Sequence, residues 1–260
     1  MDLRLRDQRV LITGSSRGLG FAIAKAFVSE GAKVVLTGRD EQGLLNAEKK
    51  LNKPDSVISY CGDVHDAASL DDLSEFIRAE WGGIDHLVCN VGSGRSVPSL
   101  EEDILEWQRM LDINLLGAVS CVKAMQPFLM QSAEHIDGGS SITLIGSICG
   151  EEALGCPTAY AVAKSALHSY SNNMARSLAA NKVRINTVTP GNLIFSGSAW
   201  EDKLASNAGA VQEMLDKEVP MKRLGKPEEV ASVVAFLTSS CAAFVTGANW
   251  VVDGGQMRSY

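Results

Sequence analysis

The sequence predicts an α/β fold, a doubly wound sheet of seven parallel strands with helices on both faces. Three observations predict it. Seven short apolar runs alternate with amphipathic helical stretches along the 260 residues. The runs are continuously apolar rather than alternating, the pattern of strands covered on both faces and so of a parallel sheet. The first run leads into a glycine-rich turn and then at once into a helix, as right-handed crossover units do.

The strands are expected at about 9–13, 33–37, 57–61, 84–89, 141–146, 183–188 and 248–252. Helices are expected between them at 18–30, 41–52, 66–80, 100–131, 157–181 and 227–239. Ser99-Leu-Glu-Glu102 has the form of a capping box before the long central helix. Pro127 should kink or end that helix nearby. Pro157 fits the first turn of the next helix, where its missing N–H is no loss. Pro227-Glu228-Glu229 places proline in a first turn and negative charge at the positive end of a helix dipole. Around 192–219 the composition shifts to Gly, Ser, Asn and charges, as in a mobile helix-loop insertion serving as a substrate lid. No linker divides the chain, so 1–260 is expected to form one domain.

Hydrophobic residues make up 45% and charged residues 21%, the balance of an ordinary globular protein. The net charge is −7 and no basic run occurs, which argues against a nucleic-acid partner. The longest apolar runs are of strand length, short of the ~20 residues of a membrane span. The charged N-terminus lacks a signal-peptide core. The six cysteines form no C-x-x-C and are expected as reduced thiols of a cytoplasmic protein. The four histidines show no zinc spacing, so no metal is expected.

Thr13-Gly-Ser-Ser-Arg-Gly-Leu-Gly20 joins the first strand to its helix. Gly14, Gly18 and Gly20 permit a tight turn and close backbone approach to a pyrophosphate, with the helix N-terminus supplying free N–H groups. Ser16, Arg17 and Leu19 share that turn. This is the dinucleotide cradle of a Rossmann fold. At the end of the second strand an NAD site carries an acid for the ribose. Here Gly38 stands instead, followed by Arg39. Arg17 and Arg39 suit a clamp on a 2′-phosphate and predict NADP(H). The competing reading turns Asp40 inward as the acid and leaves both arginines on the surface.

Tyr160 and Lys164 stand four apart on the 157–181 helix, on one face and one turn apart. A neighbouring ammonium is expected to pull the phenol from its pKa of ~10 toward neutrality, making it a usable acid/base. Ser147, at the end of the fifth strand, offers a hydroxyl to the same substrate oxygen. His168 continues this face by a further turn and is expected to pack or lie on the surface.

Together these pieces resemble the short-chain dehydrogenase/reductase family over essentially the full length. The motifs are T-G-S-S-R-G-L-G (13–20), G-D-V (62–64), C-N-V-G (89–92), N-L-L-G (114–117), S-I-C-G (147–150), Y-A-V-A-K (160–164) and P-G (190–191). The resemblance implies an adenine contact at Asp63 and Val64 and support of the cofactor side by Asn90 and Gly92. Asn114 resembles the fourth catalytic residue, holding a water in a relay to Lys164. Ser147 would orient the substrate oxygen and Tyr160 act as acid/base. Lys164 would also bind the nicotinamide ribose, beside a turn at Pro190 and Gly191. A homotetramer paired through the two long helices is implied as well. Phe195 departs from the threonine that usually anchors the carboxamide. Arg95, Glu151, Phe195 and Trp200 are expected to border the substrate.

The implied reaction interconverts a ketone and a secondary alcohol by hydride transfer. The expected partner is a small-molecule substrate, with a 3-oxoacyl thioester first by family prevalence and a sugar or other small secondary alcohol next. A non-catalytic dinucleotide-sensing protein is the reading from a different class. Such proteins lose the tyrosine, lysine or serine, and all three are present here.

Overall fold

The computed structural model describes residues 2–259. Its sheet has seven parallel strands: β1 (Arg9–Ile12), β2 (Lys33–Gly38), β3 (Val57–Cys61), β4 (His86–Cys89), β5 (Ser140–Ile145), β6 (Val183–Pro190) and β7 (Asn249–Val252). They lie in the order β3-β2-β1-β4-β5-β6-β7. The order reverses direction between β1 and β4, where the two halves of a doubly wound fold diverge and ligands bind.

Alternate strand residues face opposite layers. Val10, Ile12, Val34, Leu36, Val88 and Val188 pack under α1 (Gly18–Ser29), α2 (Glu41–Leu51) and α8 (Pro227–Thr238). Leu11, Val35, Leu87, Ile142, Leu144 and Ile185 pack under α3 (Ala67–Trp81), α5 (Gly117–Ala133) and α6 (Thr158–Ala179). Apolar residues therefore recur on both faces of the strands, because both faces are covered. The start of α8 is as expected: Pro227 opens the helix, and Glu229 Oε2 accepts the Lys226 N–H at 2.8 Å.

The long central helix differs from expectation in three ways. It begins at α4 (Ile104–Leu111), capped by Asp103, whose Oδ1 accepts the Glu106 N–H at 2.8 Å. Ser99–Glu102 forms no capping box; Glu102 Oε1 instead accepts the Ala159 N–H at 2.8 Å and so ties down the start of α6. A π turn at Asp112–Leu116 separates α4 from α5. Pro127 lies inside α5, which runs on to Ala133. The stretch Ile104–Ala133 is long and apolar enough to cross a membrane by composition alone. Its apolar residues Met110, Cys121, Val122, Met125 and Leu129 are buried, and those of α5 pack against the sheet, which accounts for that composition.

The 192–219 insertion is mostly helix. α7 (Ala199–Glu218) is broken at Asn207 (φ −157°, ψ 80°). Val211 and Leu215 form a small separate core with Val219 and Leu224, against which Trp200 and Leu204 pack.

At the opposite end of the sheet from the cleft, the buried His86 ring carries a stability consequence. Its Nε2–H donates to Gln8 Oε1 at 2.5 Å and its Nδ1 accepts from Ser141 Oγ at 2.9 Å, one donor and one acceptor as in the neutral ring. Burial pulls its pKa down to about 3, against the attraction of Asp85 and with added repulsion from Arg184 and Arg9. The unfolded chain, with a pKa of ~6.5, takes up a proton that the folded ring refuses. The stabilisation is complete above that value and drains away as pH falls toward 3. Between pH 7 and pH 5 the wild type should lose about 2 kcal/mol through this ring. A denaturant-melt comparison with His86→Gln should show a shallower loss in the variant; equal slopes would refute the assignment.

Candidate active site

A cleft of about 1740 Å³ opens over the carboxyl ends of the strands, at the switch between β1 and β4. Its floor begins with the glycine turn. Gly14 (φ +63°) and Gly18 (φ +58°) hold left-handed backbone that side chains disfavour. Asn90 Nδ2 donates to the Thr13 and Gly14 carbonyls, both at 3.0 Å, and so clamps the turn to the end of β4. The first turn of α1 has no side-chain cap and no acidic residue. Its free N–H groups and positive dipole end fit a pyrophosphate. A Cβ at Gly20 would crowd the Gly14 carbonyl oxygen, so the backbone itself forms the cradle wall.

At the end of β2, Gly38 presents no side chain to the cleft, and a Cβ there would reach 3.4 Å from Ser16 Oγ. The Arg39 guanidinium extends into solvent, 3.6 Å from Asp63 Oδ2. The Asp40 carboxylate folds over the first turn of its own helix, where a Cβ on Gly43 would lie 2.8 Å from Oδ2. Asp63 Oδ1 accepts from the His65 N–H at 3.0 Å and pairs with His65 Nδ1 at 2.6 Å. Burial raises the Asp63 pKa, but the His65 hydrogen bonds and the charges of His65 and Arg39 outweigh it and hold the carboxyl below its usual range. Val64, beside it, lines the cleft with its side chain in the core.

Helix α6 carries Tyr160 and Lys164 to the cleft, and the end of β5 carries Ser147. Ser147 and Tyr160 both line the cleft, and Ser147 Oγ accepts the Cys149 N–H at 3.2 Å. The expected cationic activation of the phenol is not what this geometry shows. Burial pushes the Tyr160 pKa well above its ordinary value, outweighing the influence of the Ser147 hydroxyl. Lys164 donates instead to the Ile145 carbonyl at 2.8 Å, and burial lowers its own pKa to about 8. Tyr160 is therefore held protonated.

Asn114 is fully buried at the centre of the π turn. Its Oδ1 accepts the Ser93 N–H at 2.9 Å, and its Nδ2 donates to the Ser93 and Met110 carbonyls, each at 3.1 Å. A Cβ on Gly92 would stand 2.9 Å from both Asn114 Oδ1 and Lys164 Nζ, so the missing side chain lets these groups converge. Such π turns recur at functional sites. β6 ends at Pro190 and Gly191, both on the cleft, with Gly191 tight against Asp253 in the turn after β7.

Of the four residues expected to border the substrate, three do line the cleft. Arg95 Nη2 is bound to Asp202 Oδ2 at 2.7 Å and to the Gly197 carbonyl at 3.3 Å, which ties the segment after β4 to the start of α7. The Phe195 ring rests on Gly18. Trp200 lies under the Lys203 ammonium, 4.3 Å from its ring centre. Glu151 is the exception. The 3₁₀ turn at Ile148–Gly150 swings it away, so that it accepts from Asn249 Nδ2 at 2.9 Å and faces His168 Nδ1 at 3.1 Å. That contact also gives His168 a packing role. Sequence reasoning did not single out His65, Cys149 or Cys156, which also line the cleft. Only the C-P pair directly before the tyrosine helix signalled any of these.

Residues 14–257 match the family model described as "Enoyl-(Acyl carrier protein) reductase". The chain is 35% identical to the 3-oxoacyl-[acyl-carrier-protein] reductase FabG of Salmonella typhimurium, over 95% of this chain and 96% of that one. It is 32% identical to dehydrogenase/reductase SDR family member 4 of Oryctolagus cuniculus, over 96% of this chain and 94% of the relative. Among solved structures, L-sorbose reductase from Gluconobacter frateurii, complexed with NADPH and L-sorbose, superposes with a TM-score of 0.92 at 30% identity, covering 100% of both chains. A 7α-hydroxysteroid dehydrogenase complexed with NADH superposes with a TM-score of 0.87 at 25% identity. With the seven-stranded sheet, these likenesses show that the chain belongs to the short-chain dehydrogenase/reductase family and is an oxidoreductase acting on CH–OH groups.

Proposed function

We propose that the enzyme is an NADPH-dependent reductase that converts a ketone to a secondary alcohol, with a 3-oxoacyl thioester as substrate. The observation that carries this reading is the convergence of Ser147, Tyr160 and Lys164 on the same cleft as the glycine turn. A phenol so placed can give its proton to a carbonyl oxygen as reduction requires. Bound in the cradle, NADPH would supply the hydride. Tyr160 then gives its proton to the carbonyl oxygen, and the Ser147 hydroxyl stabilises that oxygen as negative charge develops. Lys164 and Asn114 hold the polar floor beside them and supply a route for the replacement proton.

Gly14, Ser16, Arg17, Gly18, Leu19 and Gly20 would hold the pyrophosphate and its flanks, with Asp63 and Val64 at the adenine. The absence of a side chain at Gly38, with Arg39 extended beyond it, supports the 2′-phosphate reading. Ala153, Leu154, Pro157, Trp200 and Met214 line the substrate end, with Lys203 and Arg258 also on the cleft. An apolar wall with basic neighbours suits an acyl chain on an anionic carrier. A sugar or polyol is the second reading, favoured by the likeness to L-sorbose reductase. We further read 1–260 as one catalytic domain with 192–219 as its lid, in a cytoplasmic homotetramer. Exposed Leu105, Leu116 and Val162 on the long helices support that pairing.

The deciding experiment titrates NADPH and NADH and then follows NADPH oxidation with an acetoacetyl thioester, L-sorbose and simple ketones. NADPH should bind tighter by about tenfold or more, as expected for a clamped phosphate, and the thioester should turn over fastest. Equal or tighter NADH binding would overturn the cofactor choice. Faster turnover of the sugar would overturn the thioester.

A further inference from the structure

The turn after β3 brings a histidine into the cleft. The Gly62 N–H donates to the Gly38 carbonyl at 2.9 Å, so the chain leaves β3 alongside the end of β2. A turn then closes from the Asp66 N–H to the Asp63 carbonyl at 3.0 Å. Asp66 caps α3, its Oδ2 accepting the Ser69 N–H at 3.3 Å. Asp63, Val64 and His65 therefore ride on a turn fixed at both ends, and all three line the cleft. Among the described residues, His65 is the one histidine that does so.

The His65 side chain touches three elements. Its Nδ1 lies 2.6 Å from Asp63 Oδ1, and the His65 backbone N–H donates to the same oxygen at 3.0 Å. A carboxylate only accepts, so the bond to Asp63 puts a ring proton on Nδ1. Nε2 faces the carbonyl of Ile113, the residue before Asn114 in the π turn, at 3.5 Å. The ring edge fills the space beside Gly117, the first residue of α5, where a Cβ would run into Cδ2 and Nε2. The imidazole is thus wedged between the turn after β3 and the helix that carries Asn114, and packing keeps it from tilting away from Asp63.

We propose that His65 is a positioning residue of the cofactor cleft: by holding Asp63 Oδ1 it turns Oδ2 outward to accept from the 6-amino group of an adenine nucleotide. This rests on the reading of the cleft as a dinucleotide site, and the test below separates the two. Both His65 donors converge on Oδ1 and fill its two lone-pair directions. Oδ2 faces only the exposed Arg39 guanidinium, 3.6 Å away and beyond hydrogen-bond length. A fixed acceptor with no donor on it recognises a base that presents an N–H. It repels one that presents a carbonyl oxygen in the same place, as a 6-keto purine does. Without the ring bond the carboxylate is free to rotate onto Arg39, and the cleft loses its fixed acceptor.

The test measures dissociation constants for NADPH and for its 6-keto counterpart, reduced nicotinamide hypoxanthine dinucleotide phosphate, by tryptophan quenching with no carbonyl compound present. Wild type should bind NADPH about tenfold tighter than the 6-keto form, the worth of one hydrogen bond to a charged group. His65→Leu keeps an apolar side chain against Gly117 and removes the donor. It should bind NADPH about tenfold more weakly and the 6-keto form as wild type does, so the ratio falls toward one. His65→Ala should give the same ratio, which covers a failure of the leucine variant to fold. His65→Asn, whose amide nitrogen reaches the place of Nδ1, should restore the wild-type ratio. In an Asp63→Ala background His65→Leu should have no further effect, because the ring acts through that carboxylate. A ratio that survives loss of the ring, or an equal loss of affinity for both dinucleotides, would overturn the proposal. Equal binding of the two by wild type would overturn it as well. Binding of neither would overturn the dinucleotide reading and this inference with it.

Discussion

Tyr160→Phe should leave the dissociation constant for NADPH unchanged and lower kcat on the order of 10³-fold, the usual worth of a positioned general acid. The phenyl ring fills the same space, and Lys164 keeps its bond to the Ile145 carbonyl, so the floor of the site is not disturbed. Only the proton donor is lost. Ser147 cannot replace it, because a serine hydroxyl gives up its proton far less readily than a phenol. Single-turnover measurement under saturating cofactor isolates the step. Turnover close to wild type would mean that the proton comes from another group and that the site has been assigned to the wrong residue.

Gly20→Ala should damage both folding and cofactor binding. The new methyl would press on the Gly14 carbonyl oxygen and stand 2.6 Å from Asn90 Nδ2. That amide makes the two hydrogen bonds that hold the glycine turn to β4. Overpacking costs about 1–3 kcal/mol and each lost bond about 1 kcal/mol more, so Tm should fall by roughly 5–10 °C. NADPH affinity should fall as well, because the first N–H groups of α1 are re-aimed. A variant with wild-type Tm and wild-type affinity would show that the turn relaxes freely and that the cradle is not preorganised.

Much of this molecule is legible in its sequence because the strands are buried on both faces. Continuous apolar runs such as Lys33–Gly38 admit one reading, and the expected strand positions agree with the structure to within two residues. The glycine turn is legible for a similar reason: backbone crowding leaves little choice of residue. What escaped depends on contacts between distant segments. Ser99–Glu102 has the pattern of a cap, but Glu102 is drawn off by the backbone of α6 and Asp103 takes its place. Glu151 lies close to Ser147 in sequence, yet a short 3₁₀ turn points it at β7 instead. Helical spacing brings Tyr160 and Lys164 together but says nothing of desolvation, which raises the pKa of one and lowers that of the other. α7 was hard to read because few of its residues are buried, Val211 and Leu215 among them, and it breaks at Asn207.

The π turn at Asp112–Leu116 makes residue count itself a constraint on this chain. Each residue in a helix advances the azimuth by about 100°, and the π turn already absorbs one extra residue, so adding another between Met110 and Cys121 would turn everything beyond it by that angle. Cys121, Val122, Met125 and Leu129 would then rotate off the sheet as a group, and Asn114 would lose its grip on Ser93. An added residue in this stretch would strike the core and the floor of the cleft together.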